Sequence, residues 1–274
     1  MKAQTPGYRI FRIANAILLT GVVVVTLFPF VNVVARSLSQ ARYVRAGKVV
    51  LWPEGFNLLA YRQILHASWF WTGYRNSVMY TVLGTAIAMV LTTCYAYVLS
   101  KKHLRGRRFL VAAAVVTMFF DGGIIPNYVL VSHLGLRNTV WAVVLPDAIN
   151  VFNLLVMKAY FETIPVELEE AAAVDGMSTY RVLWSIVLPL SKAVIATIAL
   201  FYATAYWNAW FDALLYLDRQ ELFPVTLYLR DLTNGAPPTI VAMATVVTAV
   251  PLLVIAPLSQ RFLVSGLRLG AVKG

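Results

Sequence analysis

The sequence predicts an all-α polytopic membrane protein with six transmembrane helices and a structured cytoplasmic loop between the fourth and the fifth. Three observations carry that prediction. Hydrophobic residues make up 60% of the 274 and charged residues only 13%, against roughly 45–50% and 25% in an average soluble domain. Mean hydropathy is +0.72. Apolar stretches of the roughly 20 residues that cross a bilayer as a helix recur along the chain, with Lys and Arg clustered between them.

Three stretches carry no charge: Ile13 to Ala35 between Arg12 and Arg36, Asn76 to Ser100 between Arg75 and Lys101, and Leu232 to Gln260 between Asp231 and Arg261. Three more contain a single charge. Phe109 to Leu136 holds Asp121, Asn138 to Met157 holds Asp147, and Val182 to Phe211 holds Lys192. Spans are therefore expected at about 13–35, 76–100, 109–133, 138–158, 190–211 and 237–260 of a single membrane domain covering 1–274. An even number places both termini on one side. Lys2, Arg9 and Arg12 before the first span resemble a signal peptide's flank, but the run exceeds the 7–15 residues or so of a signal core. An uncleaved first helix is the expectation.

Lys and Arg are retained on the cytoplasmic side of membrane proteins. With the N-terminus inside, the cytoplasmic segments hold 14 of the 23: Lys2, Arg9, Arg12; Lys101, Lys102, Arg105, Arg107, Arg108; Lys158, Arg181, Lys192; Arg261, Arg268, Lys273. The segment after the first span dissents, with Arg36, Arg42, Arg45, Lys48, Arg62 and Arg75. Both termini are expected in the cytoplasm. The net charge of +11 follows from such orientation signals, so membrane lipid rather than nucleic acid is the expected surrounding. Cys94 is the only cysteine and lies inside an apolar run, which excludes an intramolecular disulfide or a thiolate metal site.

The fourth-to-fifth segment, 162–189, has its own punctuation. Pro165 suits a first helical turn, and Glu167, Glu169 and Glu170 sit near that helix's positive end. Ala171 to Ala173 continue it, and Gly176 supplies a left-handed turn that ends it. Ser178 caps a second short helix, Thr179 to Leu188, which Pro189 is expected to break.

These residues resemble the EAA loop of permease subunits from binding-protein-dependent ABC importers. The family pattern is Glu-Ala-Ala, three residues, Gly, nine residues, Ile, one residue, Leu-Pro. Glu170, Ala171, Ala172, Gly176, Ile186, Leu188 and Pro189 meet it with every spacing intact. An ordinary interfacial helix pair would not need that spacing. The resemblance implies a coupling-helix loop that docks into a cleft on an ATP-hydrolysing subunit, with Asp175 beside the glycine as part of it. Ala171 to Ala173 form a low-relief face, Gly176 permits close backbone approach, and Glu170 offers a charge-assisted hydrogen bond.

Within that family the chain is most similar to carbohydrate permeases of the maltose type, and to their relatives linked to oligosaccharide or polysaccharide uptake. Gly122-Gly-Ile-Ile-Pro126, Leu134-Gly-Leu-Arg-Asn-Thr139, Tyr206-Trp-Asn-Ala-Trp210 and the tail Gly270 to Gly274 carry this likeness. It implies a homologous second permease, two ATPase subunits, an extracytoplasmic solute-binding protein and a carbohydrate cargo. No phosphate-binding loop of the Gly-x-x-x-x-Gly-Lys-Ser/Thr type occurs, so ATP and Mg are expected on the partner and no cofactor on this chain. His66, His103 and His133 are scattered, no nucleophile elbow appears, and neither catalytic nor metal-ligating residues are expected.

Polar residues at membrane depth are costly and usually face a cavity. The expected substrate pathway comprises Asp121, Asn127 and Tyr128 of the third span, Asn150 and Asn153 with Asp147 of the fourth, and Tyr206, Trp207, Asn208 and Trp210 with Asp212 at the fifth. Planar amides and aromatic faces are the groups that bind sugars, although aromatic interface belts and interhelical Asn bonds use the same residues. The outer stretch Asp218 to Pro238 offers a contact for a binding protein or serves as a plain connection. The same loop pattern occurs in importers of other solutes, but an anion site would want cations within the spans, where only Lys192 stands. An ion-coupled secondary transporter would use Asp121 or Asp147 as relays. A membrane enzyme or scaffold would leave the loop spacing unexplained.

Overall fold

The computed structural model describes residues 6–120 and 122–270, and among these all regular secondary structure is helical. In chain order the helices are α1 (Pro6–Ser37), α2 (Ala41–Arg45), α3 (Leu59–Leu65), α4 (Ser68–Ser100), α5 (Arg107–Phe119), α6 (Ile124–His133), α7 (Trp141–Val144), α8 (Val151–Phe161), α9 (Val166–Val174), α10 (Thr179–Val182), α11 (Leu188–Leu190), α12 (Lys192–Trp207), α13 (Trp210–Tyr216), α14 (Val225–Leu232) and α15 (Pro238–Gly270). They pack as two compact units, Met1–Ser68 with Leu229–Val250, and Trp69–Tyr228 with Pro251–Gly274.

Among the described residues, three helical segments are long and apolar enough to cross a bilayer unbroken: Phe11–Ser37, Ser68–Ser100 and Pro238–Ile255. They correspond to the three charge-free stretches. Helix α4 begins at Ser68, earlier than the expected 76, because Trp69, Phe70, Trp71 and Tyr74 extend the apolar run and exposed Arg75 rides on it.

The other expected spans are broken. The stretch 109–133 is two helices, α5 and α6, inclined at 113° around Gly122, Gly123 (φ +89°) and Pro126. The stretch 138–158 contains α7 and α8, separated by Pro146 and by Asn150, which caps α8. The stretch 190–211 is α12, which ends at Trp207 before α13. Irregular backbone at membrane depth is tolerated where protein buries it or where it lines a cavity. Six crossings remain an expectation. The described residues hold three unbroken helices, or up to five spans if each bent pair is one.

Pro189 does not end its helix. A π turn over Leu183–Val187 joins α10 to α11, and the chain bends by 87° only at the junction of Thr179–Leu190 with α12. Widening the turn accommodates a residue that lacks the N–H of the α register.

The larger unit's core is drawn from α4, α8, α12 and the π turn before α11. Leu99, Leu154, Met157, Val187 and Ile198 are fully buried there beside Tyr202. Tyr202 Oη shares a hydrogen bond with Thr92 Oγ1 at 2.6 Å and accepts one from the Asn150 N–H at 2.9 Å. Where α4 meets α12, Gly84 lies so close to the Tyr206 ring that a Cβ would sit 2.7 Å from three of its atoms. Tyr206 Oη donates to the Val144 carbonyl at 2.9 Å. In the smaller unit, Ala35, Val44 and Val49 form a separate cluster. From Phe11 to Val31, α1 is exposed along every side, as lipid or another subunit requires.

Candidate functional site

The loop over 162–189 is built from two capped helices. Pro165 is the N-cap of α9, and Glu167 and Glu169 occupy the first turn, where the backbone's positive end favours them. The other end closes with the paired bonds of a Schellman turn. The Met177 N–H donates to the Ala172 carbonyl at 2.9 Å and the Gly176 N–H to the Ala173 carbonyl at 3.0 Å. Gly176 has φ +77°, with nothing within 4 Å of where a Cβ would stand. Backbone conformation rather than space requires glycine there. The Ser178 hydroxyl accepts the Arg181 N–H at 3.4 Å and caps α10.

Burial divides the motif. Ala172 is buried, and Ile186 and Leu188 pack with it into the main core cluster. Glu170, Ala171, Asp175, Gly176 and Pro189 face outward. Beside them Val174 is 88% exposed, Tyr180 79% and Trp184 65%. This apolar rim went unnoticed in the sequence, although Tyr180 and Trp184 stand four residues apart, one helical turn.

Ion pairs fasten the base of the loop. Lys101 pairs with Glu169, Arg107 pairs with Glu162, and Lys158 reaches Glu162 at 3.0 Å. Arg107 Nε also donates to the Leu99 carbonyl at 2.7 Å, and Lys101 stands 3.8 Å from the centre of the Tyr97 ring. The basic 101–108 segment, read from sequence as an orientation signal, is thus a strut under the 162–189 loop.

Two cavities open where the broken helices leave space. The first, about 530 Å³, is lined by Asn150 and Asn153 of the α8 N-terminus, by Phe201, Tyr202 and Tyr206 of α12, and by Asn208 and Phe211 beyond it. The second, about 650 Å³, is lined by Gly122 and Asn127 at the α5–α6 break and by Pro146 and Tyr216. Asp147 and Asp212 line both, and among the described residues no Lys, Arg or His lines either.

Of the expected pathway residues, Asn150, Asn153, Tyr206 and Asn208 come together in the first cavity, and Asn127 lies in the second. Asn150 also accepts the Asn153 N–H at 3.1 Å as the α8 cap. Three others sit elsewhere. Tyr128 stacks on Tyr216 at 6.4 Å with Arg137 over its ring. Trp207 is buried against Tyr74, edge to face at 5.5 Å. Trp210 meets Phe211 at 5.6 Å. Asp121 lies outside the described residues, as do residues 271–274 of the tail. Tyr202, Phe201 and Phe211 were missed, and their spacing along one apolar run gave no sign that they face a cavity.

The Leu134–Thr139 stretch is a clamp. Asn138 adopts φ +56°, accepts the Asp218 N–H at 2.5 Å and donates to Asp218 Oδ2 at 2.8 Å, and Arg137 pairs with the same carboxylate at 2.8 Å. The connection after Asp218 is held down further on, where Asn76 donates to the Glu221 and Phe223 carbonyls at 2.7 and 3.1 Å and Tyr80 to that of Leu222 at 2.6 Å.

A family profile described as "Binding-protein-dependent transport system inner membrane component" matches residues 107–269. The chain is 38% identical to Protein LplC of Bacillus subtilis (strain 168), over 99% of this chain and 97% of that one. It is 39% identical to the polygalacturonan/rhamnogalacturonan transport system permease protein YtcP of the same organism, over 91% and 93%. A solved chain from a bacterial ABC transporter involved in the import of the acidic polysaccharide alginate superposes with a TM-score of 0.88 at 32% identity, covering 95% of this chain and 99% of that one.

Proposed function

The chain belongs to the family of binding-protein-dependent transport system inner membrane components, and from that membership we propose that it is one permease subunit of an ATP-driven ABC importer for an oligosaccharide or polysaccharide. It sits in the cytoplasmic membrane with both termini inside and pairs with a homologous permease. Two ATPase subunits carry ATP and Mg, and a solute-binding protein delivers cargo from outside.

The observation that carries this reading is the division of the loop motif. A loop that served only its own fold would bury its specified residues. Here Ala172, Ile186 and Leu188 anchor it, while Glu170, Ala171 and Gly176 are presented together with Val174, Tyr180 and Trp184. Exposed apolar side chains around a small-residue face mark a docking surface. The ion pairs at its base give the loop the stiffness needed to pass a push into the spans. Closure of the ATPases on ATP draws the loops of the two permeases together and rocks the cavities from one side of the membrane to the other. Carboxylates, amides and aromatic rings at membrane depth suit a hydroxyl-rich cargo, and the polygalacturonan/rhamnogalacturonan and alginate for which YtcP and the alginate transporter are named support a saccharide.

The test is co-purification from mild detergent with wild type, Gly176→Asp and Glu170→Arg. Wild type is expected to bring down a second permease and a P-loop ATPase, and each variant to lose the ATPase at least tenfold while keeping the permease. If no ATPase accompanies wild type, or the variants bind and transport normally, the coupling role is refuted.

A further inference from the structure

Cations outside the cytoplasm run against the rule that orients membrane proteins, and the segment after α1 concentrates them. Between residues 36 and 67 stand Arg36, Arg42, Arg45, Lys48 and Arg62 against one acid, Glu54. Among the described residues none of these five cations makes an ion pair, and Arg42, Arg45 and Lys48 are exposed on α2 and the turn that follows. Immediately after them Val50, Leu51, Trp52 and Phe56 are exposed as well, Trp52 by 80%. Water is a poor surrounding for four such side chains in one short stretch.

The depth of this stretch is set by α1. Asn32 Nδ2 donates to the Val49 and Val50 carbonyls at 3.2 and 2.7 Å. Asn32 lies three residues inside Ala35, the end of the expected first span, hence about 5 Å below it at a rise of about 1.5 Å per residue. The fold holds the stretch at that level. Val44 and Val49 pack on Ala35, the Gln40 N–H donates to the Glu54 carbonyl at 3.1 Å, and the Asn57 N–H to the Leu38 carbonyl at 2.8 Å. Apolar residues tied to the rim of a span, with cations on the adjoining turn, are the two halves of an interfacial anchor.

We propose that residues 41–56 are a lipid-binding element, in which Arg42, Arg45 and Lys48 hold anionic phospholipid headgroups while Val50, Leu51 and Trp52 enter the boundary of the acyl chains. In the orientation proposed above this is the outer leaflet, but the inference itself rests only on where α1 ends. It also accounts for the dissent in the charge count, since these cations are neutralised by headgroups at their own surface. A membrane-proximal cation contributes roughly fivefold in preference for an anionic surface, so the three acting together strongly favour anionic over zwitterionic neighbours.

The experiment places a fluorophore at position 52 of the full chain in its purified complex, through Trp52→Cys in a Cys94→Ser background, in nanodiscs of phosphatidylcholine and phosphatidylglycerol. Quenching is read with one or the other lipid brominated near the top of its acyl chains. Brominated lipid is expected to quench the label, and brominated phosphatidylglycerol to quench at least threefold more than brominated phosphatidylcholine at equal mole fraction. Arg42→Gln, Arg45→Gln and Lys48→Gln together are expected to abolish that ratio. A label quenched by aqueous iodide and not by lipid overturns the proposal and leaves the face to a protein partner. A label shielded from both overturns it in favour of the sister permease, and equal quenching by the two lipids in the otherwise unaltered chain overturns the headgroup assignment. None of these readouts depends on ATPase binding or cargo, so the importer reading fails or stands separately.

Discussion

Replacing Gly84 by alanine tests the packing that shapes the first cavity. Three ring atoms of Tyr206 lie 2.7 Å from the site of the new Cβ, about 0.7 Å inside ordinary contact. The ring belongs to a buried residue on a packed helix and has no slack on its own side, so it must move toward the cavity it lines. Overpacking of this kind costs about 1–3 kcal/mol. The shift also stretches the 2.9 Å bond from Tyr206 to the Val144 carbonyl, and losing a buried bond adds about 0.5–1.5 kcal/mol. The sum, about 1.5–4.5 kcal/mol, is expected as a lower midpoint of thermal unfolding of the purified complex, with slower uptake because the cavity narrows. Tyr206→Phe removes only the bond and is expected to cost about 1 kcal/mol. Tyr206→Leu in the Gly84→Ala chain relieves the clash, so the double variant should be less damaged than the two single effects added. A Gly84→Ala chain that melts and transports like wild type would show that α4 and α12 are not in this contact, and the cavity argument would fall with it.

Two further sites give independent readouts. Asp147→Asn with Asp212→Asn is expected to slow uptake of cargo at least tenfold while ATPase co-purification is unchanged, because a carboxylate accepting hydroxyl hydrogens is worth roughly 1.5–3 kcal/mol; unchanged uptake would remove both cavities from the pathway. Glu162→Gln leaves Arg107 and Lys158 without their shared carboxylate. With all three side chains only partly buried the stability cost is about 1 kcal/mol, but amide exchange over Ala171–Gly176 should quicken severalfold, and unchanged exchange would show that the base does not stiffen the loop.

Asn138→Ala loses the amide's bonds to Asp218 and forces alanine to φ +56°, which costs roughly 1–2 kcal/mol for the backbone alone. Asn138→Gly keeps the backbone and should be the milder of the two by thermal midpoint. Equal effects would mean that the conformation carries no strain.

Much of the protein is legible without coordinates because the signals are local. Charge-free runs report helices wherever backbone groups must be satisfied inside hydrocarbon, and Phe11–Ser37, Ser68–Ser100 and Pro238–Ile255 follow from them. The loop motif is equally local. Pro165, Gly176 and Ser178 act through their own φ angles or a bond a few residues away, and each stands where its chemistry suggests.

The remaining features depend on what lies across space. Gly122-Gly123, Pro146 and Asn150 are visible as weak points, but a proline also sits inside continuous helix at Pro29, and Pro189 follows a π turn and stays helical as far as Leu190. Whether such a residue breaks a helix depends on whether neighbours supply the missing bonds, as Tyr202 does for the Asn150 N–H. Trp207 and Asn208 are adjacent in sequence, yet one is buried against Tyr74 and the other faces the cavity.

By itself, then, the sequence determined the membrane character, the helical class, the family and the residue pattern of the 162–189 loop. Tertiary structure alone decided which polar residues share a cavity, that the basic 101–108 segment props the loop, and that Gly84 is small because Tyr206 stands there. The physical reason is range: hydropathy, capping and φ are properties of a residue and its near neighbours, whereas a cavity, an ion pair and a close approach belong to residues that only folding brings together.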